Sequence, residues 1–283
     1  MSWQFLILLS VLTYSVSVLL QRVLIKEENH DTVAFSIVFQ LITAACIGAY
    51  GYAAHLMQFP DLLPYLPNLL LMTVLYSLGN YFLFSSLKKA EASKVTIIFA
   101  CRAFFTVAAS TVFLQEALNP IQWLGALLVF AGVILVSGNI RKRTFAREEW
   151  FALLAAIFFG FEVANDRFIL RTFPVVPYVF IGFITPGIGI ALLKLRSISQ
   201  IPVLLKLNVV WKIIVLCAIY AVSAVAFFIG LQKAPNASRV ITINLTSVIV
   251  TVILAIIFLK ERTDWVKKVI GAALSFAGLL LLS

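Results

Sequence analysis

Leu87-Lys-Lys-Ala90 followed by Ala92-Ser-Lys-Val95 returns later in the chain as Leu231-Gln-Lys-Ala234 followed by Ala237-Ser-Arg-Val240. Carried onward, the same register sets Phe113-Leu-Gln-Glu116 on Phe258-Leu-Lys-Glu261, Gly125-Ala126 on Gly271-Ala272, and Phe130-Ala-Gly132 on Phe276-Ala-Gly278. Carried backward, it sets Gln21-Arg22 and Lys26 on Asp166-Arg167 and Arg171. Apolar helices resemble one another through composition alone. Matching polar residues at the ends of helices do not follow from composition, so two related halves are expected, residues 1–140 and 146–283.

The surroundings of the repeat say what kind of halves these are. Of 283 residues, 62% are hydrophobic and 12% charged, with a mean hydropathy of +1.05. Soluble proteins carry about 25% charged residues, so a soluble cytosolic enzyme, a disordered chain and a disulfide-stapled module are excluded. A bilayer core of ~30 Å takes about 20 apolar helical residues. Such spans succeed one another at Trp3–Ile25, Val33–Met57, Leu66–Leu87, Val95–Leu114, Ile121–Val136, Trp150–Leu170, Pro177–Leu195, Val209–Leu231, Val240–Leu259 and Trp265–Leu282. Short connections with breakers such as Pro60-Asp61, Asn119-Pro120 and Pro235-Asn236 separate them. Alternation of period two is missing, which argues against a β-barrel. The first span has no basic flank and is too long for a signal-peptide core. Cys46, Cys101 and Cys217 are far apart inside apolar runs and read as packing residues.

Five spans per half is an odd number, so the two halves must enter the membrane with opposite orientation. The net charge of +10 tests this. Lys and Arg gather in alternate connections: Arg22 and Lys26; Lys88, Lys89 and Lys94; Arg141, Lys142, Arg143 and Arg147; Lys194, Arg196, Lys206 and Lys212; Lys260, Arg262, Lys267 and Lys268. The intervening connections hold Arg167, Arg171, Lys233 and Arg239. By the positive-inside rule the first set is cytoplasmic and both termini face out. The basic excess is therefore an orientation signal in a multi-pass inner or plasma membrane protein, not a nucleic-acid surface. The fold expected is an all-α integral membrane protein of ten transmembrane helices, arranged as two inverted five-helix repeats around a central cavity. That is the plan of secondary transporters, whose like halves exchange conformations about a midplane site.

The repeated string resembles the EamA domain of the drug/metabolite transporter superfamily. The likeness lies in a Leu-x-x-Ala turn (Leu87 to Ala90, Leu231 to Ala234), an apolar helix ending in Glu (Glu116, Glu261) and a Gly-Ala…Ala-Gly helix (Gly125 to Gly132, Gly271 to Gly278). It covers nearly the whole chain. The first copy departs from the pattern, because Glu116 is followed by Ala117 and lacks the basic residue that Arg262 supplies in the second. The resemblance implies ten helices, a cavity lined by spans one, three, four, six, eight and nine, and transport of small metabolites. Cargo in that superfamily ranges over amino acids, sugars, nucleotide sugars and cationic drugs.

Ionisable groups deep in a membrane cost about 2.5–3.5 kcal/mol on insertion scales and call for a reason. Arg102 lies roughly 12 Å of helical rise beyond Lys94, and Glu162 about 18 Å beyond Trp150. Neither is repeated: Arg102 matches Ser247 and Glu162 matches Ser17. Asymmetry of this kind suits a bound cargo, with Arg102 receiving a carboxylate or phosphate and Glu162 an ammonium group or a proton. The alternative is that Arg102 and Glu162 pair with each other, or Glu162 with Arg167. Asp166 and Arg167 are expected at the membrane interface. Glu162-Val163 ahead of Arg171 also resembles the first helix of the four-helix small multidrug transporters, in which an acidic residue exchanges protons for cationic substrate.

Tyr14 and Ser17 share a face of the first span; Tyr76 and Asn80 lie in the third, Tyr220 in the eighth and Asn244 in the ninth. Such groups orient a polar ligand among apolar walls or bond helix to helix. Thr185-Pro186-Gly187 is expected to kink or break the seventh span. The function expected is secondary transport, by alternating access, of a small polar or zwitterionic metabolite such as an amino acid or derivative. Proton-coupled export of cationic drugs is the alternative, with a lipid flippase behind it. No cofactor, metal or catalytic group is expected; the partners are the small-molecule substrate and the bilayer, with no nucleic acid, and the oligomeric state is open, a monomer being plausible.

Overall fold

A computed structural model describes residues 2–26, 31–114, 120–136, 146–233, 243–244, 246–261 and 263–282. In hydrocarbon every backbone amide must find its partner inside the protein, which leaves the helix as the form for apolar runs of this length. The described residues form α1 (Trp3–Lys26), α2 (Thr32–Ala53), a 3₁₀ turn (Leu63–Tyr65), α3 (Leu66–Lys89), α4 (Ala92–Phe99), α5 (Arg102–Leu114) and α6 (Pro120–Val136). Beyond these come α7 (Arg147–Ile169), α8 (Val175–Leu193), the short α9 (Leu195–Ile198) and α10 (Ile201–Leu204), α11 (Leu207–Lys233), α12 (Thr246–Phe258) and α13 (Trp265–Leu282). Asp31 caps α2 by accepting from the Ala34 N–H at 2.8 Å. Glu149 reaches back to accept from the Ala146 N–H at 3.0 Å at the start of α7.

Among the described residues five helices are long and apolar enough to cross a membrane: α1, α2, α3 with its 3₁₀ turn, α8 and α11. Helices α6 and α12 are apolar but shorter. The expected fourth span is not one helix. It breaks at Ala100–Cys101 into α4 and α5, where the Cys101 N–H turns back to Ile98 O at 3.1 Å and the Ala103 N–H to Ala100 O at 3.2 Å. The seventh span, where a kink or a break was the expectation, runs unbroken as α8 through Pro186. Around that proline, Thr185 Oγ1 donates to Ile181 O at 3.0 Å and Ser77 Oγ to Pro186 O at 3.3 Å.

The helices pack chiefly as α6 on α13, α3 on α7, α1 on α11, and α2 on α8. Exchanging the two repeats turns the α3–α7 pair into α11–α1 and returns the α6–α13 and α2–α8 pairs to themselves. Lesser pairs obey the same exchange: α5–α7 with α1–α12, α3–α8 with α2–α11. The α6–α13 seam is the tightest. A Cβ on Gly278 would stand 2.5 Å from Gly125 O, and one on Gly132 2.6 Å from Gly271 O, so backbone rests on backbone.

At the end of the bundle where α3 finishes and α7 begins, the halves are tied by polar groups. Glu261 accepts from the N–H groups of Ala92 (2.8 Å) and Ser93 (3.0 Å) at the start of α4, and from Ser93 Oγ at 2.5 Å. Lys268, 1% exposed, donates to Glu261 O and pairs with Glu91, both at 2.9 Å. Trp150, Trp211 and Trp265 stand exposed near the same end, where indole rings suit a membrane interface. The repeat segments Gln115–Asn119, Ala234–Thr242 and Arg262, and the cluster Arg141–Arg143, lie outside the described residues.

Gly278→Val is expected to lower stability by about 1–3 kcal/mol through overpacking. Gly182→Ala, whose Cβ would find its nearest neighbour at 3.8 Å, is expected to be neutral or to stabilise. Thermal unfolding of both variants in detergent checks the pair; equal losses would refute the seam.

Candidate functional site

The break in the fourth span puts Arg102 at the first residue of α5. Its half-buried guanidinium lies 4.7 Å over the Phe99 ring, and among the described residues no carboxylate is bonded to it. Tyr220 of α11 is within its electrostatic reach. Around Tyr220 stand Phe39 (5.0 Å between centroids), Phe183 (5.7 Å) and Tyr14 (6.1 Å), from α2, α8 and α1. A cation set over an aromatic ring can receive a group that is anionic at one point and flat or apolar elsewhere. On the other side, a Cβ on Gly160 of α7 would meet Arg102 O at 2.8 Å, so α7 passes directly behind this turn.

Glu162, also on α7, is fully buried. The pairing with Arg102 considered above is not formed. Glu162 Oε1 instead accepts from Asn165 Nδ2 at 3.1 Å. Asn165 is held by Asn68 of α3: Asn68 Nδ2 donates to Asn165 Oδ1 at 2.8 Å, and Asn165 Nδ2 to Asn68 O at 3.0 Å. The other side of Glu162 faces Asp166, one helical turn on.

Asp166, expected at the membrane interface, lies near the end of α7 and is covered by protein. It is 4% exposed, and both its oxygens are occupied. Tyr76 OH donates to Oδ2 at 2.9 Å and Tyr178 OH to Oδ1. The reason is packing: α3 and α8 close over this face of α7, and their phenols supply the donors that water would otherwise give. Tyr65 OH and Thr172 Oγ1, 2.7 Å apart, lie beyond Asp166 toward the end of the bundle. The Arg167 side chain lies outside the described residues.

Of the eight residues singled out in the sequence, Tyr14 and Tyr220 pack together, and Tyr76 bonds Asp166, one helical turn from Glu162. Ser17 Oγ and Asn80 Nδ2 donate to carbonyls of their own helices, Thr13 O at 2.7 Å and Tyr76 O at 2.8 Å. Asn244 is half-buried ahead of α12. Asn68, Asn165, Asp166 and Tyr178 were not among the expected site residues. The spacing Glu162, Asn165, Asp166 places three polar groups on one helical face, a readable signal. Tyr178 sends none, since nothing in its own segment reveals that it meets Asp166.

The EamA-like transporter family model matches residues 1–138 and 146–283. Solute carrier family 35 member B1 of Xenopus laevis is 29% identical over 106 residues, 37% of this chain and 33% of that protein. UDP-galactose transporter homolog 1 of Schizosaccharomyces pombe is 36% identical over 73 residues, 26% of this chain and 23% of its own length. The chain thus spans about a third or less of the curated relatives it matches. A protein of known crystal structure shares the fold at a TM-score of 0.65 and 16% identity, over 99% of this chain and 95% of that one.

Asn165→Leu removes a donor from Glu162 and strands the Asn68 amide. The expected loss is about 1–3 kcal/mol for buried groups left unpaired, read by thermal unfolding. Wild-type stability in this variant would show that the amide pair holds nothing.

Proposed function

The chain belongs to the EamA-like transporter family, and on that premise we propose that it is a secondary-active transporter working by alternating access. Its cargo is a small polar metabolite bearing an anionic group, which Arg102 binds while Tyr14, Tyr220 and Phe99 flank it. The observation that carries this reading is the Arg102 guanidinium, lodged against Phe99 with no carboxylate bonded to it among the described residues. A cation inside an apolar bundle costs free energy, and a bound carboxylate or phosphate offsets that cost with charge-assisted, bidentate hydrogen bonds.

Ten spans in two inverted halves, with both termini extracytoplasmic, complete the proposal. Its supports are the exchange of helix pairs between the repeats and the bias of Lys and Arg toward alternate connections. With two like halves, the arrangement of one half in one state becomes that of the other half in the opposite state, so a single cavity opens to each side in turn.

Two cargo classes follow from an anion site beside aromatic rings. A zwitterionic amino acid or derivative satisfies Arg102 through its carboxylate. A nucleotide sugar satisfies it through a phosphate and lays its base on the rings; the name of the fission-yeast relative favours this class, and neither relative's name supports an amino acid. A cationic drug at Glu162 is less favoured, because that carboxyl is fully buried and engaged by Asn165.

Thermal-shift measurements on purified protein with UDP-galactose and with zwitterionic amino acids separate the classes, since a ligand that binds the folded state stabilises it by mass action. Arg102→Ala is expected to weaken binding of the stabilising ligand by roughly 30-fold or more, which is about 2 kcal/mol. Unchanged affinity in that variant would refute the assignment of Arg102.

A further inference from the structure

Helix α3 packs against α7 on one side and α8 on the other, and the face between them turns away from the bundle. Leu71, Val74, Leu78, Phe82, Ser85 and Lys89 recur there at spacings of three and four, one stripe of an α-helix. None of the six is buried, whereas Leu69, Met72, Asn80 and Leu87 on the opposite side all are. From Leu71 toward the end of α3 the stripe passes from aliphatic to aromatic to hydroxyl to cation. That order is the polarity profile of one bilayer leaflet. The rise from Leu71 to Phe82 is about 16 Å, close to half of a ~30 Å hydrocarbon core. Exposed Trp150, near the same end, marks the level of the interface.

Three cations border this face. Lys89 ends the stripe; Lys194, just after α8, has its Nζ 5.8 Å over the Tyr81 ring; Arg147, which opens α7, has its guanidinium 5.3 Å over the Phe151 ring. Between the last two the rings form a continuous row, with Tyr81 to Phe82 at 5.2 Å and Phe82 to Phe151 at 5.5 Å between centroids. A ring beneath a cation holds it in place while its N–H groups keep their capacity to donate. Among the described residues no carboxylate is bonded to Lys89, Arg147 or Lys194. Glu149 is buried and paired with Lys94 at 3.4 Å, and the half-buried Glu148 does not balance three positive charges. We propose that this face binds one anionic phospholipid of the leaflet at the basic end of the bundle. An acyl chain lies along Leu71, Val74 and Leu78, the ester region meets the ring row, and the phosphate is received among the three cations. Arg147 offers it two parallel charge-assisted bonds, while the ammonium of a zwitterionic lipid is repelled. The site is separate from the cargo groups, because Asn80 lies on the opposite side of α3.

The test uses the full chain in neutral detergent, with dioleoyl phosphatidylglycerol and dioleoyl phosphatidylcholine as probes and native mass spectrometry reading the affinity for the first lipid bound. The wild type is expected to take phosphatidylglycerol at least about tenfold more tightly. Equal affinities overturn the proposal without any variant being made. Arg147→Gln combined with Lys194→Gln is expected to weaken phosphatidylglycerol binding by about 30-fold, the effect of two cations at a membrane surface, and to leave phosphatidylcholine binding unchanged. Arg147→Lys combined with Lys194→Arg keeps the charge and is expected to keep the preference, which separates a lost site from a lost fold. Lys206→Gln combined with Lys212→Gln removes the same charge beside α11 and is expected to keep the preference as well. If that pair loses it equally, the basic end as a whole attracts the lipid and the groove is overturned. Displacement of the lipid by excess glycerol 3-phosphate overturns the lipid assignment in favour of a soluble phosphate.

Discussion

The Glu261 carboxylate holds two backbone N–H groups at the first turn of α4, a helix from the other half of the chain. Much else depends on that contact. An α-helix leaves its first N–H groups without partners, and within a bundle of this hydropathy the alternatives to a protein acceptor are few. With its start fixed from across the molecule, the fourth span can end its first segment after Phe99 and begin again at Arg102. The break then lies beside the least expected charge in the membrane region. Lys268, bonded to Glu261 O and to Glu91, keeps the acceptor in place from behind.

The scaffold was largely legible in the sequence, because its determinants are local and repeated. Length and hydropathy of a span give a helix, and matching Gly-Ala and Ala-Gly steps in α6 and α13 announce the seam their backbones form. Breaks were legible only where a residue imposes them. Pro186 pointed to a kink or a break, and α8 continues through it with Thr185 and Ser77 bonded to nearby carbonyls. Ala100–Cys101 contains neither proline nor glycine, and its turn answers to packing that no window of sequence displays. The site divides in the same way. Arg102 and Glu162 stand out as charges in apolar runs, whereas the burial of Asp166 depends on phenols from α3 and α8. Ser17 and Asn80 spend their hydrogen bonds on their own helices, a choice equally available to any polar residue on a helical face.

Repeated positions such as Gly132 and Gly278 set distances between helices, and the repeated Glu116 and Glu261 close matching apolar runs. The charges deep inside apolar runs, Arg102 against Ser247 and Glu162 against Ser17, do not repeat. A nearly symmetric frame thus encloses an asymmetric interior, with the cationic turn on α5 packed against α7, the helix that carries the acidic face, at Gly160.

The α6–α13 seam has a mechanical consequence. Side chains can change rotamer to accommodate sliding, but two backbones in contact have nothing to rearrange. With Gly132 against Gly271 and Gly278 against Gly125, the spacing of these two helices is fixed while the pairs built on larger side chains retain freedom to tilt. The seam therefore sets a fixed distance between the last helices of the two repeats, against which any other rearrangement must be accommodated.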